Sequence, residues 1–224
     1  QAYFKREYEL SYGYGIGNVF SETVLTNVEE IGRRYRRQPD SNSGFTQKSL
    51  GIDPGFGSSK TAFCITEFID GIIRVIYTKQ FDNASTEDMV RHAYRLVLKY
   101  QLNNGVNKIF IDGSNPGFIR SLKQAMGEFV NYDLFVDKAK TDKRPLFYYM
   151  NVVPVNFATE GRAMLSNVKK WIDKQRVAID PDQHKELMLD LRIAQSDEEM
   201  KLDKTDNTMD MLDALRLAFE YYEY

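Results

Sequence analysis

From residue 49 onward, apolar stretches of strand length alternate with stretches at helical spacing, and that order leaves few folds open. Residues 50–52 start one strand, 61–68 form a second and 72–81 a third. Asp70-Gly71, between the last two, is a hairpin signal, because both residue types accept the positive φ of a tight turn. Ser85-Thr86-Glu87-Asp88 opens a helix ended by Asn104-Gly105, with Val90, Ala93, Tyr94, Val97 and Leu98 at helical spacing. Residues 108–112 are almost wholly apolar, as expected of a strand buried on both faces. Asn115-Pro116 begins another helix, with Pro in a first turn that tolerates it. A strand at 152–157, a helix at 159–174, a short extended piece at 176–179 and helices near 182–194 and 208–223 follow. A hairpin and then alternating strands and helices predict an α/β domain, a mixed central β-sheet flanked by helices on both faces. Residues 49–224 form that domain. Residues 1–48 read as an N-terminal extension or linker, with a short helix from Ser21 through Ile31 and a polar stretch at 38–44.

The chain has 224 residues, 42% of them hydrophobic, enough for one full core. No apolar run approaches the length of a membrane span. The first residues are charged and aromatic, unlike a secretory signal, and Gln1 is not an initiator Met, which fits a processed form or a piece of a longer chain. Cys64 is the one cysteine; it lies in an apolar run and reads as a small core residue in a reducing compartment. With one Cys and two His, His92 and His184, far apart in sequence, the nitrogen and sulfur ligands of a typical zinc site are lacking, which argues against one.

The net charge of −2 is low for a polyanion binder, but the charges are segregated. Arg33-Arg34-Tyr35-Arg36-Arg37 is one basic tract, and Lys138, Lys140, Lys143 and Arg144 form another. Between Asp197 and Asp213 seven acids face only Lys201 and Lys204. Such a pattern fits a polyanion groove beside a cation site; solvated loops would also carry it.

Three aspartates stand where a metal-dependent nuclease needs them. Asp53 ends an apolar run in Gly51-Ile52-Asp53-Pro54-Gly55, and Asp112 ends another in Ile109-Phe110-Ile111-Asp112-Gly113. The carboxyl ends of strands are where open α/β sheets collect their sites. Asp213 lies on the last helix, sharing a face with Asp210 and flanked by apolar residues, so it needs a partner or a cation to offset desolvation. Each has a plainer reading: a tight turn at Asp53, a turn before a helix at Asp112, a half-solvated acid at Asp213. Carboxylates without Cys or His suit hard cations such as magnesium or manganese. Gly55 and Ser59-Lys60-Thr61 look like part of a phosphate-binding P-loop, but Ser59 stands where that motif requires glycine.

The order of these three segments resembles the nuclease domain of viral large terminase subunits, the DNA-packaging motors of tailed bacteriophages and their relatives. Phe4-Lys5-Arg6-Glu7-Tyr8, Gly17-Asn18-Val19-Phe20-Ser21, Val153-Pro154-Val155-Asn156-Phe157 and Arg176-Val177-Ala178-Ile179 extend the likeness over nearly the whole chain. The resemblance implies a ribonuclease H-like fold and a metal-dependent endonuclease cutting double-stranded DNA with little sequence preference. It implies Asp53, Asp112 and Asp213 as the catalytic acids, with Asp210 as an additional metal ligand. Two divalent cations, Mg2+ or Mn2+, would clamp the scissile phosphate, with Asp53 between them. Lys60, Lys138, Lys140, Lys143 and Arg144 would touch the DNA backbone. The implied partners are an ATPase domain of the same parent protein, the portal and the small terminase subunit, in the cytoplasm of an infected host cell. Rival readings are a Holliday junction resolvase-like nuclease, an actin-like ATPase, and a non-catalytic DNA-binding packaging module. The actin-like proteins duplicate their core, which this length does not allow.

Overall fold

The computed structural model describes residues 17–36, 46–55, 60–129, 150–204 and 209–222, with the backbone alone at 126–129. In chain order the elements are β1 (Gly17–Asn18), α1 (Glu22–Arg36), β2 (Gln47–Asp53), β3 (Thr61–Ile69), β4 (Ile72–Phe81), α2 (Thr86–Lys99), β5 (Lys108–Asp112) and α3 (Pro116–Phe129). They continue with β6 (Asn151–Val155), α4 (Phe157–Asp173), β7 (Val177–Ala178), α5 (Lys185–Ile193), β8 (Gln195–Ser196) and α6 (Asp210–Phe219). Six described strands form one mixed sheet in the order β6-β5-β2-β3-β4-β7. β2 pairs with β3, and β3 with β4, antiparallel, while β5 on β2, β6 on β5 and β7 on β4 pair in parallel, as crossover connections require.

Local chemistry explains the strand and helix ends. Asp70 and Gly71 turn the β3–β4 hairpin with φ of 51° and 78°. Ser85 caps α2 by accepting from the Asp88 amide, and Asn156 caps α4 through the Ala158 amide. α2 stops at Lys99, short of the expected Asn104-Gly105. Gln101 takes a positive φ of 55° there, and the Leu102 amide bonds back to the Val97 carbonyl, a left-handed C-terminal closure.

The sheet separates two apolar layers. Leu50, Ile52, Phe63, Ile65, Ile109 and Ile111 pack with residues of α2 and α3 on one face. Ala62, Cys64, Ile73 and Val75 pack with α1, α4, α5 and α6 on the other. Residues 19–28 belong to this second layer: Val19, Phe20, Leu25 and Val28 are buried in it. β1 pairs with β8, a small second sheet that the sequence reading did not contain. The basic tract in 33–36 is the end of α1 rather than a loop, and Arg36 forms a two-pronged ion pair with Asp180. Lys138, Lys140, Lys143 and Arg144, and the polar stretch at 38–44, lie outside the described residues. No described helix is long and apolar enough to cross a membrane.

His184 is 3% exposed between β4 and α5; its Nε2 donates to the Val75 carbonyl and its Nδ1 accepts from the Thr78 hydroxyl. Burial lowers its pKa to about 4, against the opposing pull of Val75, Asp180 and Glu186. The folded protein thus holds a neutral imidazole where the unfolded chain binds a proton near pH 6.5. Its contribution is complete above that pH and is lost as pH falls toward 4, on the order of 3 kcal/mol in all. Urea unfolding from pH 7.5 down to 4.5 is expected to lose that amount, and His184→Gln to flatten the loss; an unchanged slope would contradict it.

Candidate active site

Strand parity sets the first two acids. Successive side chains alternate between faces, so Ser49, Gly51 and Asp53 oppose Leu50 and Ile52. On β5, Ile109 and Ile111 share the layer of Leu50 and Ile52, while Phe110 packs with Leu217 of α6. Asp112 has the parity of Phe110. β2 and β5 pair in parallel with Ile52 opposite Ile111, so one step further the two strand ends bring Asp53 beside Asp112.

α6 supplies the other two acids because Gly51 lets it lie directly on the sheet. A Cβ at Gly51 would stand 2.0 Å from the Ala214 carbonyl oxygen and 2.6 Å from the Ala218 nitrogen. No larger residue fits that crossing. Asp210 and Asp213, 6% and 3% exposed, are carried in with the first turn of the helix. The Asp210 carboxylate accepts from the Lys60 amide at 3.1 Å, which ties α6 to the start of β3.

Each acid is held differently. Asp112 accepts from the Ser114 amide at 3.0 Å and from the Ser114 hydroxyl at 2.5 Å. The turn reading and the site reading of this residue therefore coexist. Asp213 accepts from the buried Arg216 at 2.6 Å through Oδ1 and is ion-paired with Lys204 through Oδ2. Arg216 is itself locked by the Gly161 carbonyl and by the Phe157 ring, 4.8 Å from its guanidinium carbon. The Asp53 carboxyl forms no hydrogen bond or ion pair among the described residues. Burial pushes it well above the usual carboxylate range; Asp213, Asp210 and Asp112 push the same way, and Lys204 opposes them.

The other three predicted acids are thus within electrostatic reach of Asp53. As they stand, no three acids among the described residues close on a single ion, and Lys204 and Arg216 both pair with Asp213. The donor set is oxygen alone, with Asp53 short of a counter-charge. That chemistry fits a hard divalent cation exchanging with the half-exposed ammonium of Lys204. Of the predicted DNA contacts, Lys60 is described; its ammonium meets Asp82 at 3.2 Å.

Three residues at this site escaped the sequence reading. Lys204 reads only as one cation among acids. Arg216 leaves a trace, a lone Arg three residues after Asp213 on an otherwise apolar helix. Asp190 leaves none: it reads as a polar position of α5, yet it accepts from the Met211 and Leu212 amides at 3.1 Å each. It thereby caps α6, whose own N-cap residue, Met209, has no capping side chain. Burial raises the Asp190 carboxyl to about 6 against those two amides, and Asp210 and Asp213 add to the rise.

No family model and no curated protein matches the chain. Solved structures do. The large terminase nuclease of thermophilic phage G20c, crystallised with bound magnesium, superposes with a TM-score of 0.62 at 18% identity, over 92% of this chain and 98% of that one. This chain has the fold of a large terminase nuclease. The large terminase of another thermophilic bacteriophage gives a TM-score of 0.62 at 14% identity, over 94% of this chain but 45% of its own length. The nuclease domain of the bacteriophage SPP1 large terminase, with bound manganese, gives 0.50 at 19% identity, over 83% and 92% of the two chains. The terminase nuclease fold is the ribonuclease H-like, mixed-sheet α/β arrangement expected from the sequence.

Proposed function

We propose that this chain is a metal-dependent endonuclease that cuts double-stranded DNA with little sequence preference, the cutting part of a viral DNA-packaging terminase. The observation that carries this reading is the gathering of Asp53, Asp112, Asp210 and Asp213 from β2, β5 and α6 on a terminase nuclease fold. The magnesium and manganese bound in the G20c and SPP1 structures support a divalent cation here. The longer large terminase from the other thermophilic phage is more than twice the length of the stretch this chain matches, which supports work within a larger terminase. An ATPase domain, portal and small subunit are the proposed company, in an infected cell.

In this proposal Asp53, Asp112 and Asp213 are the catalytic ligands and Asp210 an additional one. Two bound divalent cations supply positive charge to the scissile phosphate and lower the pKa of the attacking water. Asp53, to which the other three acids are all electrostatically coupled and which has no protein partner among the described residues, would be the ligand common to both cations. Arg216 fixes the Asp213 carboxylate through Oδ1, and a cation would take the place of Lys204 at Oδ2. Ser114 fixes Asp112 through both oxygens, its amide to Oδ1 and its hydroxyl to Oδ2. Lys60, Lys138, Lys140, Lys143 and Arg144 are proposed to contact the sugar-phosphate backbone, which sets affinity but not sequence.

The test is cleavage of supercoiled plasmid with manganese, with magnesium and with EDTA. Linear product followed by degradation is expected with either metal, and none with EDTA. Folded protein that binds manganese yet leaves the plasmid intact would sink the proposal.

Lys204 offers a second test. Its ammonium neutralises Asp213 from a side chain that is 46% exposed, so a cation must displace it. Lys204→Ala is therefore expected to tighten manganese binding by about threefold, the worth of a partly exposed ion pair. Titration calorimetry checks this, and unchanged or weaker binding would show that Lys204 does not compete.

A further inference from the structure

A groove of about 630 Å³ begins at Gly113, the residue after Asp112, and runs along α3. Its walls are Pro116, Ile119 and Pro154 on the apolar side and Arg120 and Lys123 on the charged side. Arg120 and Lys123 are three residues apart, so they share one face of the helix. Both are exposed, and neither forms an ion pair among the described residues. Some exposed cations elsewhere are matched, as Arg33 with Glu29, Arg91 with Glu87 and Arg162 with Glu199, and others, such as Arg34, Arg95 and Lys170, are not among the described residues; Arg120 and Lys123 differ in lining a groove that begins beside Asp112. Residues 116–124 contain no acid, so no neighbour within these turns of α3 offsets the two charges.

We propose that this groove is the track for the sugar-phosphate backbone of one strand of the nucleic-acid substrate, leading to the carboxylates. This rests on the nuclease reading and deepens it. Two neighbouring cations with no acid in these turns to neutralise them call for a polyanion with closely spaced charges. A free phosphate would need no apolar wall. A nucleic-acid strand has both parts: phosphates for Arg120 and Lys123, and deoxyribose faces for Ile119, Pro116 and Pro154. The contacts are to backbone, so the track holds the strand without reading its sequence. It adds Arg120 and Lys123 to the DNA contacts foreseen from the sequence, and both lie on the side of Asp112.

The test is fluorescence anisotropy of a short labelled duplex with the whole chain in EDTA, over a series of salt concentrations. Arg120→Ala/Lys123→Ala is compared with wild type and with Lys170→Ala/Lys174→Ala, which removes two exposed charges from the end of α4 and its C-cap. Plasmid cleavage with manganese is measured in parallel. Each phosphate contact contributes about 0.9 to the slope of log affinity against log salt, so the α3 double variant is expected to lose about 1.8 of slope. Arg120→Lys/Lys123→Arg is expected to restore it. Wild-type affinity and slope in the α3 variant, in a protein that still cuts plasmid, would overturn the track and leave the nuclease reading standing. An equal loss in the α4 control would also overturn it, by showing only diffuse attraction. A wild-type protein that neither binds duplex nor cuts plasmid would remove both.

Discussion

Asp53→Asn is expected to be inactive and more stable than the wild-type protein. The loss of plasmid cleavage should reach about a thousandfold or more, as for other groups that act only together with their neighbours. The gain in stability has a separate cause. Asp53 lies among Asp213, Asp210 and Asp112, and burial together with those charges opposes its ionisation. Without a bound cation it is a cost to the fold, kept for function. Asn has the same shape and no charge, so it removes the repulsion. Thermal unfolding in EDTA should therefore show a higher midpoint for the variant. Manganese should reverse the order, because a cation that binds only the folded state stabilises the wild type by mass action and has lost its central ligand in the variant. A variant that is destabilised in EDTA, or that still gains stability from manganese, would contradict this account of the site.

Gly51→Val should damage both fold and activity. The added Cβ would meet the Ala214 carbonyl oxygen and the Ala218 nitrogen at well under contact distance. Both are backbone atoms, so no rotamer change relieves the clash and α6 must lift from β2. Overpacking that side chains can absorb costs about 1–3 kcal/mol, and here about 4 kcal/mol or more is expected. Lifting α6 also withdraws Asp210 and Asp213 from Asp53, so cleavage should fall even under conditions where the variant remains folded. Urea unfolding and plasmid cleavage measure the two effects. Ala214→Gly is expected not to rescue the variant, since the obstruction is the helix backbone and not the Ala214 methyl. Rescue would mean that side-chain packing, not direct helix-on-strand contact, sets the spacing.

Much of this architecture is legible in the sequence because it depends on local rules. Asp70-Gly71 closes a hairpin because of the φ values those residues tolerate, and the β3–β4 turn is there. The parity of residues 50–53 and 109–112 decides which side chains share a face, and so sends Asp53 and Asp112 the same way. Where local rules competed with packing, the reading slipped. The helix after Ser85 closes several residues before Asn104-Gly105. The segment around residues 19–28, set apart as an extension, is packed into the main core.

What the sequence alone determined is the order of the main-sheet strands and their helices, the acids at two strand ends, and the pair of acids one helical turn apart on the last helix. These follow from periodicities within short stretches of chain. The crossing of α6 over Gly51, the capping of that helix by Asp190, and the division of Asp213 between Arg216 and Lys204 were decided only by the tertiary structure. Each joins elements whose meeting depends on how whole layers pack, and no residue spacing along the chain encodes such a meeting.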